Sequence, residues 1–338
     1  MILKRDSNIE LLRLLSMFLI FFNHMVGHGV LLDKGVSNGT TMSFFYFVGT
    51  SIWIPAALVF VLISGYFGIN PSVRGIVKYS FVCTFYLVAS SFVGGHNFGL
   101  LTSVKCCCLL SSSTGLWFLS AYFYLYCLSP ILNTYMDNLS VICFRKYLLL
   151  FLLMEVTVGW FMKSQTFNHV FLFMLVYSIG YYLGHSKDEW IKDMSICKCI
   201  LGWLLPTSVI FSSLYFHFKG PLGNIGYNNP FILFQAVMIL LLFTKLNVRY
   251  NKVINYLAKS ALMVYLVSEN NFTRGYFVEL VQFFVKSFRE QYILLLLAIL
   301  FVSLFVGLLL LDKLVSKIYM PILNKLFSAL KLRSNKCI

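Results

Sequence analysis

Long apolar runs recur from one end of this chain to the other, and they limit what it can fold into more than any other feature. Of its 338 residues, 59% are hydrophobic and 12% are charged, whereas soluble domains are about a quarter charged. Many runs approach the ~20 residues that an α-helix needs to cross a bilayer, and they lack the alternating ~10-residue pattern of a membrane β-barrel. The sequence therefore predicts an all-α fold, a polytopic bundle of membrane-spanning helices.

Turn residues and charge clusters divide this apolar sequence into about ten predicted spans. The spans cover residues 9–31, 43–69, 76–93, 116–136, 147–162, 167–184, 199–217, 229–244, 256–272 and 291–311. With a cytoplasmic N-terminus, 20 of the 27 Lys and Arg residues fall in inside segments, as the excess of basic residues in cytoplasmic loops requires. We therefore predict that both termini are cytoplasmic, with one transmembrane domain over 1–312 and a basic cytoplasmic tail over 313–338.

Two outside segments differ from simple connections. The segment between residues 92 and 116 contains an apolar stretch, 100–110, that is too short to cross, which indicates a re-entrant or interfacial segment. The residues after Asn270 mix charged with aromatic side chains and are predicted to lie along the outer interface. No internal repeat of the kind found in many transporters is visible in the sequence.

The cysteines and the net charge exclude two functional classes. The nine cysteines show no spacing typical of zinc or haem ligands, so no metal site is predicted. The net charge of +15 follows from the membrane topology, so it does not indicate a nucleic-acid partner. The expected partner of the chain is the lipid bilayer.

Arg13 and His24 interrupt the first apolar run and are eleven residues apart. Eleven residues make about three helical turns, so the two side chains share one face, about 16 Å apart along the axis. Ionisable residues inside a span are costly and indicate function. A neutral His can accept a hydroxyl proton, and an Arg can hold a phosphate or a carboxylate. The structural alternative is that Arg13 reaches the headgroups and His24 bonds a neighbouring helix.

His28 follows His24 by one helical turn, a spacing that also occurs in metal-binding pairs. No Glu or further His stands nearby in the sequence to complete such a site. We predict instead that His28 marks the outer interface and has a minor role in acceptor binding.

The first span resembles the opening of the acyltransferase-3 superfamily, bacterial integral-membrane acyltransferases whose first helix carries an Arg-x10-His motif. Residues 5–13 followed by His24 fit that motif. Three further stretches agree in order: residues 60–67, which include Ser64; 117–130, which include Trp117 and Tyr122; and 261–270, which include Ser268 and Glu269. The resemblance covers nearly the full chain.

This resemblance implies transfer of an acyl group, usually acetyl, from cytoplasmic acyl-CoA to a hydroxyl of a surface glycan or its lipid-linked precursor. His24 would be the catalytic histidine, and Arg13 would hold the donor or orient His24. Arg74 and Lys78 match the family's basic cluster and would bind CoA phosphates; ordinary cytoplasmic-side charge is the alternative. Acetyl-CoA or another acyl-CoA is then a donor substrate, no permanently bound cofactor is expected, and the enzyme belongs in the bacterial inner membrane.

The resemblance also implies a tunnel or acceptor region. Trp117 and Tyr122 match an aromatic motif of the family, with an interfacial aromatic belt as the alternative. Ser64 belongs to the same region, together with His28, Ser268 and Arg274.

Glu269 is predicted to be catalytic. It could orient or charge-pair with His24, or bind the acceptor sugar; a structural ion pair with Arg274 is the competing interpretation. Many family members have His where this chain has Ser268, which points to a different acceptor.

Three functions are compatible with these patterns. The leading one is a membrane O-acyltransferase, with His24 as the general base for the acceptor hydroxyl. The main alternative is a polysaccharide exporter or a proton-coupled transporter, because a many-span protein with buried Arg, His and Glu could be a carrier. The third is acyl transfer to a hydroxyl or amine outside a surface glycan.

Overall fold

The computed structural model describes residues 6–29, 41–95, 116–163, 169–186, 188–288 and 290–332. Within these ranges the regular secondary structure is helical and no β-strand is formed, which confirms the predicted all-α class. The helices are α1 (Ser7–Gly29), α2 (Thr41–Trp53), α3 (Ala56–Phe67), α4 (Val73–Val93), α5 (Trp117–Asp137), α6 (Val141–Met154), α7 (His169–His185), α8 (Glu189–Lys192), α9 (Ile196–Tyr215), α10 (Pro230–Lys245), α11 (Lys252–Leu257), α12 (Ala261–Ser268), α13 (Arg274–Ser287) and α14 (Glu290–Ala329). A π-helical segment, Glu155–Phe161, extends α6, and a 3-10 turn, Ala258–Ser260, joins α11 to α12.

Several of these helices are long and apolar enough to cross a membrane. In the described part of the chain they are Ser7–Gly29, Ser43–Phe67, Val73–Val93, Ile196–Tyr215 and Tyr292–Ala329. The chain is therefore a membrane protein, while the number of ten spans and the cytoplasmic termini stay predictions. The single domain over 1–312 also stays a prediction; α14 runs through its proposed boundary. The apolar stretch 100–110 lies outside the described residues.

Polar residues at several helix starts explain where the helices begin. Ser72 accepts a hydrogen bond from the backbone N–H of Gly75 at the start of α4. Ser140 and Ser195 cap α6 and α9 in the same way. Such caps satisfy backbone N–H groups that have no partner within the first helical turn.

Pro130 lies inside α5 and does not end it, since the helix continues to Asp137. A proline lacks the N–H that would bond the carbonyl four residues earlier, here that of Tyr126. The hydroxyl of Ser129 donates to this carbonyl at 2.8 Å. The helix thus satisfies the freed carbonyl locally.

The chain forms two compact units. The first comprises Met1–Ser16, Ser37–Asn70 and Tyr124–Ile254, and the second comprises Met17–Val36, Pro71–Phe123 and Asn255–Ile338. Helix α1 contributes its first residues to the first unit and the remainder to the second.

In the first unit, α3 and α7 touch through their backbones. A Cβ atom placed on Gly65 would lie 2.1 Å from the carbonyl oxygen of Tyr177, and one on Gly180 would lie 2.3 Å from that of Leu62. Gly184, one turn after Gly180, stands equally close to the carbonyl oxygen of Tyr66. Small residues four apart permit this close approach of helices where lipid supplies no hydrophobic driving force.

In the second unit, aromatic side chains pack around the later part of α1. Phe21 is almost fully buried, and its ring lies 6.4 Å from Phe277 of α13 and 6.4 Å from Phe301 of α14 in edge-to-face geometry. Such pairs stabilise a core beyond the area they bury. This packing fixes the helix face that carries His24, one turn beyond Phe21 and Phe22.

Candidate active site

The second unit brings His24 of α1 against Glu269, which directly follows α12. His24 Nδ1 lies 2.7 Å from Glu269 Oε1, and the glutamate side chain is only 7% exposed. Both atoms are buried, and the contact becomes an ion pair when the ring carries a second proton. A buried carboxylate requires such a partner, because an unpaired charge in an apolar region is costly.

Arg274 does not pair with Glu269 in the described part of the chain. It is the first residue of α13, and its backbone N–H donates to the carbonyl of Asn270 at 3.0 Å. The basic partners of Glu269 among the described residues are His24 and His28. Of the two interpretations that the sequence left open, the geometry therefore corresponds to pairing with His24.

This geometry assigns different tasks to the two ring nitrogens of His24. Glu269 engages Nδ1, whereas Nε2 has no hydrogen-bond partner among the described residues. A carboxylate at Nδ1 favours the tautomer whose Nε2 is an acceptor, and it stabilises the imidazolium that forms after proton transfer. The pair can therefore act as an oriented general base.

His28 is the second basic partner of the same carboxylate. Its Nε2 lies 3.7 Å from Glu269 Oε2, and its side chain is about one third exposed. The His24 and His28 ring centroids are 5.8 Å apart. No group of three or more His, Cys, Asp or Glu residues that could hold a metal ion occurs in the part of the chain that the structure describes.

Aromatic rings line one side of His24. The ring of Tyr265 in α12 lies 6.2 Å from His24, and Phe118 lies 6.1 Å from Tyr265 in edge-to-face geometry. Phe118 in turn stacks on Tyr122 and contacts Trp117. The structure thus brings the predicted Trp117 and Tyr122 to His24 through two rings that sequence analysis did not single out.

Ser268 precedes Glu269 and is 1% exposed. Its Oγ is buried and has no hydrogen-bond partner among the described residues. Tyr265, Ser268 and Glu269 are spaced at i, i+3 and i+4, so they occupy neighbouring positions on one helical face.

Arg13 and Ser64 belong to the first unit. Arg13 Nη1 donates to both carboxylate oxygens of Glu10, at 2.9 and 3.0 Å. This bond occupies Nη1 alone, and the other guanidinium nitrogens bond no described residue. The Oγ of Ser64 donates to the carbonyl of Phe60 at 3.0 Å within α3.

Arg74 and Lys78 lie in the first turns of α4, in the second unit. The Arg74 guanidinium carbon lies 4.3 Å above the ring of Phe327 in α14, a cation–π contact that fixes the position of its charge. Lys78 is exposed. Both cations lie at the start of α4. Farther along the same helix, Tyr86 bonds Asp312 of α14 and Ser90 bonds Asn270, which follows α12.

Sequence analysis missed three residues of these clusters: Glu10, Phe118 and Tyr265. The i, i+3 spacing of Glu10 and Arg13 was a signal for their pairing. Phe118 and Tyr265 stand within the family motifs, yet in a chain with 34 Phe and 20 Tyr nothing in the sequence distinguishes these two.

Comparison with known proteins gives one match. A family model described as an acyltransferase domain, that of the acyltransferase-3 family, matches residues 6–312. No match to the chain was found among curated proteins or solved structures. The matched region contains every residue of the candidate site.

Proposed function

The chain belongs to the acyltransferase-3 family, and on this premise we propose that this membrane acyltransferase is an O-acyltransferase. It moves an acyl group, most simply acetyl, from cytoplasmic acyl-CoA to a hydroxyl of a cell-surface glycan or its lipid-linked precursor. We propose that the enzyme acts in the bacterial inner membrane.

The 2.7 Å ion pair between His24 Nδ1 and Glu269 Oε1 carries the proposal. Residues 24 and 269 are far apart in the sequence, and the ring of Tyr265 lies beside His24. A purely structural His would not need a buried carboxylate at Nδ1 together with an Nε2 that bonds no described residue. The arrangement is the one that a general base requires.

In the proposed reaction, His24 Nε2 accepts the proton of the acceptor hydroxyl. The hydroxyl oxygen attacks the thioester carbonyl carbon, a new C–O bond forms, and the C–S bond to CoA breaks. The imidazolium then returns its proton to the departing thiolate. Throughout, Glu269 holds the ring and stabilises its positive charge.

The donor is assigned to basic side chains. Arg13 keeps guanidinium N–H groups beyond those bonded to Glu10, and these suit bidentate binding of phosphate or carboxylate. Arg74 and Lys78 supply further positive charge for the CoA phosphates. Acyl-CoA enters this scheme as a substrate.

The acceptor is assigned to the aromatic and polar groups around His24. Trp117, Tyr122 and the intervening rings offer faces on which a sugar can lie, and His28, Ser268 and Arg274 offer polar contacts. Ser64 stays assigned to the acceptor or tunnel region from its motif alone.

The test uses purified protein in lipid vesicles with radiolabelled acetyl-CoA and a panel of lipid-linked and free glycans. We expect label in the glycan as an alkali-labile ester. Replacing His24 by Ala should reduce the rate by about 10²–10⁴-fold, the usual contribution of general acid–base catalysis. His169→Ala is the matched control, because His169 is an exposed histidine of the first unit.

Undiminished transfer by His24→Ala would remove His24 from the mechanism. Glycan flux across the vesicle membrane without any acyl-CoA, together with no labelled product, would overturn the acyltransferase assignment in favour of the exporter.

A further inference from the structure

Polar side chains hold both ends of α12, the helix that presents Tyr265 and leads into Glu269. Among the described residues, none of these side chains hydrogen-bonds His24, and the reaction proposed above does not use them. We propose that Asp312, Ser90 and Asn270 are positioning residues that fix α12 so that Glu269 stays in register with His24. The expected effect on catalysis rests on the proposed function, whereas the holding of α12 by these contacts does not.

The anchor at the start of α12 is the carboxylate of Asp312 on α14. Ser260, the last residue of the 3-10 turn before α12, donates its hydroxyl to Asp312 Oδ2. Tyr86 of α4 donates to Oδ1 at 2.6 Å, and Tyr319 approaches the same oxygen at 3.5 Å. Asp312 is 6% exposed, so these hydroxyls stabilise a carboxylate that is almost removed from solvent.

The anchor at the end of α12 is the fully buried amide of Asn270. Its Nδ2 donates to Ser90 Oγ of α4 at 3.0 Å and to the carbonyl of Leu266. Its Oδ1 accepts the backbone N–H groups of Phe272 and Thr273, at 3.0 and 3.1 Å. One side chain thus closes the turn after α12 and ties that turn to α4.

Both anchors use the same face of α4. Tyr86 and Ser90 are four residues apart, which places them one above the other on that helix. Between the anchors lies one short helix, α12 (Ala261–Ser268), with eight residues and a length of about 12 Å at 1.5 Å per residue. A helix of this length has little capacity to hold its own register, so its end contacts determine it.

Register matters because Glu269 directly precedes Asn270. A slip of one residue along a helix turns each side chain by about 100°, which would remove the carboxylate from His24. Catalytic groups must stay within about 0.5 Å of their productive geometry. The anchors therefore act on the reaction through Glu269.

The experiment compares Ser90→Ala with Ser91→Ala. Ser91 is the neighbouring serine of α4, similarly buried, and its hydroxyl bonds the carbonyl of Val88 within its own helix. We expect Ser90→Ala to lower kcat by about tenfold, the low end of the loss on removing an orienting partner, with KM for acyl-CoA unchanged. Ser91→Ala should match the unmodified protein, and Ser90→Thr should restore activity because it keeps the hydroxyl.

Two readouts separate positioning from a general loss of structure. The pH profile of kcat/KM for Ser90→Ala should move in the same direction as that of Glu269→Gln; His24 and His28 are the titratable groups that face Glu269 in the described residues. The double variant Ser90→Ala/Glu269→Gln should be little worse than Glu269→Gln alone, since both changes disable one unit. Fully additive losses would overturn the inference.

Hydrogen exchange of residues 261–270 tests the anchors independently of catalysis. Ser90→Ala should exchange faster in this segment, and Ser91→Ala should not. Equal exchange and equal kcat in the two variants would overturn the inference while leaving the acyltransferase in place. If the unmodified protein transfers no acyl group, the proposed function fails, and the exchange result alone decides whether the anchors hold α12.

Discussion

One helix contact from each unit shows a different way of holding helices together. In the first unit, Gly65, Gly180 and Gly184 let α3 and α7 meet backbone to backbone. In the second unit, α12 is held by carboxylate, amide and hydroxyl groups, and its end carries the His24–Glu269 ion pair. Glycine contacts make a scaffold that tolerates little movement but offers no chemistry, whereas polar anchors position groups that can react.

The substitution that should disrupt the contact between α3 and α7 most is Gly180→Ala. The added Cβ would lie 2.3 Å from the Leu62 carbonyl oxygen, so the two backbones must separate, at a cost of about 3 kcal/mol. Thermal unfolding in detergent measures this loss. Gly307→Ala is the control, because a Cβ there meets nothing within 4 Å. Equal unfolding midpoints for the two variants would contradict the account of α3 and α7.

The corresponding change in the second unit is Glu269→Gln. The isosteric amide keeps the packing but cannot favour the productive His24 tautomer or stabilise its imidazolium, so kcat/KM should fall by about 100-fold or more. Stability should change less than in Gly180→Ala. Steady-state kinetics measure the fall, and Glu279→Gln on the exposed face of α13 is the control. A Glu269→Gln variant as active as this control would make the ion pair structural.

Arg74→Gln tests whether the polar groups of the second unit also bind the acyl-CoA donor. Loss of one charged contact to a CoA phosphate should raise KM for acyl-CoA about tenfold, which corresponds to about 1.4 kcal/mol. The exposed Lys317 provides the control variant Lys317→Gln. The same KM in both variants would leave Arg74 as ordinary cytoplasmic-side charge stacked on Phe327.

The smallest expected effect concerns an ion pair at the surface of the first unit. Asp188 accepts hydrogen bonds from Tyr182 and from Arg145, the latter at 2.6 Å. The Tyr182 hydroxyl, and then Arg145, hold the pKa of Asp188 below its ordinary value against the opposing effect of burial. The pair therefore stabilises the fold above the unfolded pKa of about 3.9, and this contribution is lost as pH falls through the folded pKa.

Asp188→Asn should accordingly lower the melting temperature at pH 7 by only a few degrees, since the Arg145 side chain is half exposed and such ion pairs contribute little. The difference from the unmodified protein should vanish at pH values below the folded pKa. A large drop at pH 7 would mean that the first unit depends on polar pairing as much as the second.

The helical class follows from the apolar runs, because in lipid only helices or closed barrels satisfy every backbone group. The positions at which these runs divide into separate helices do not follow in the same way. The run over 43–69 is divided at Pro55 into α2 and α3, and Glu155 begins a π-helical segment. Pro55 is a local signal for the first interruption, whereas nothing in the local sequence distinguishes the π-helical segment from continuous helix.

The site was predictable only in part. A single helix relates Arg13 to His24, so their shared face follows from spacing alone. The partner of His24 lies on another helix, and its direction depends on anchors to α4 and α14 that no local pattern reveals. For the same reason the sequence could not exclude Arg274, near in sequence, as the competing partner of Glu269. The partner of the buried Glu155 is equally remote, since the side-chain amide of Asn228, in a distant loop, donates to it.

The buried hydroxyl of Ser268 carries a cost in stability. A buried hydroxyl that bonds no described residue lowers stability by roughly 1–3 kcal/mol relative to a group without polar atoms. Ser268→Ala should therefore give a more heat-resistant protein, and under the proposed function this protein should bind its acceptor less well.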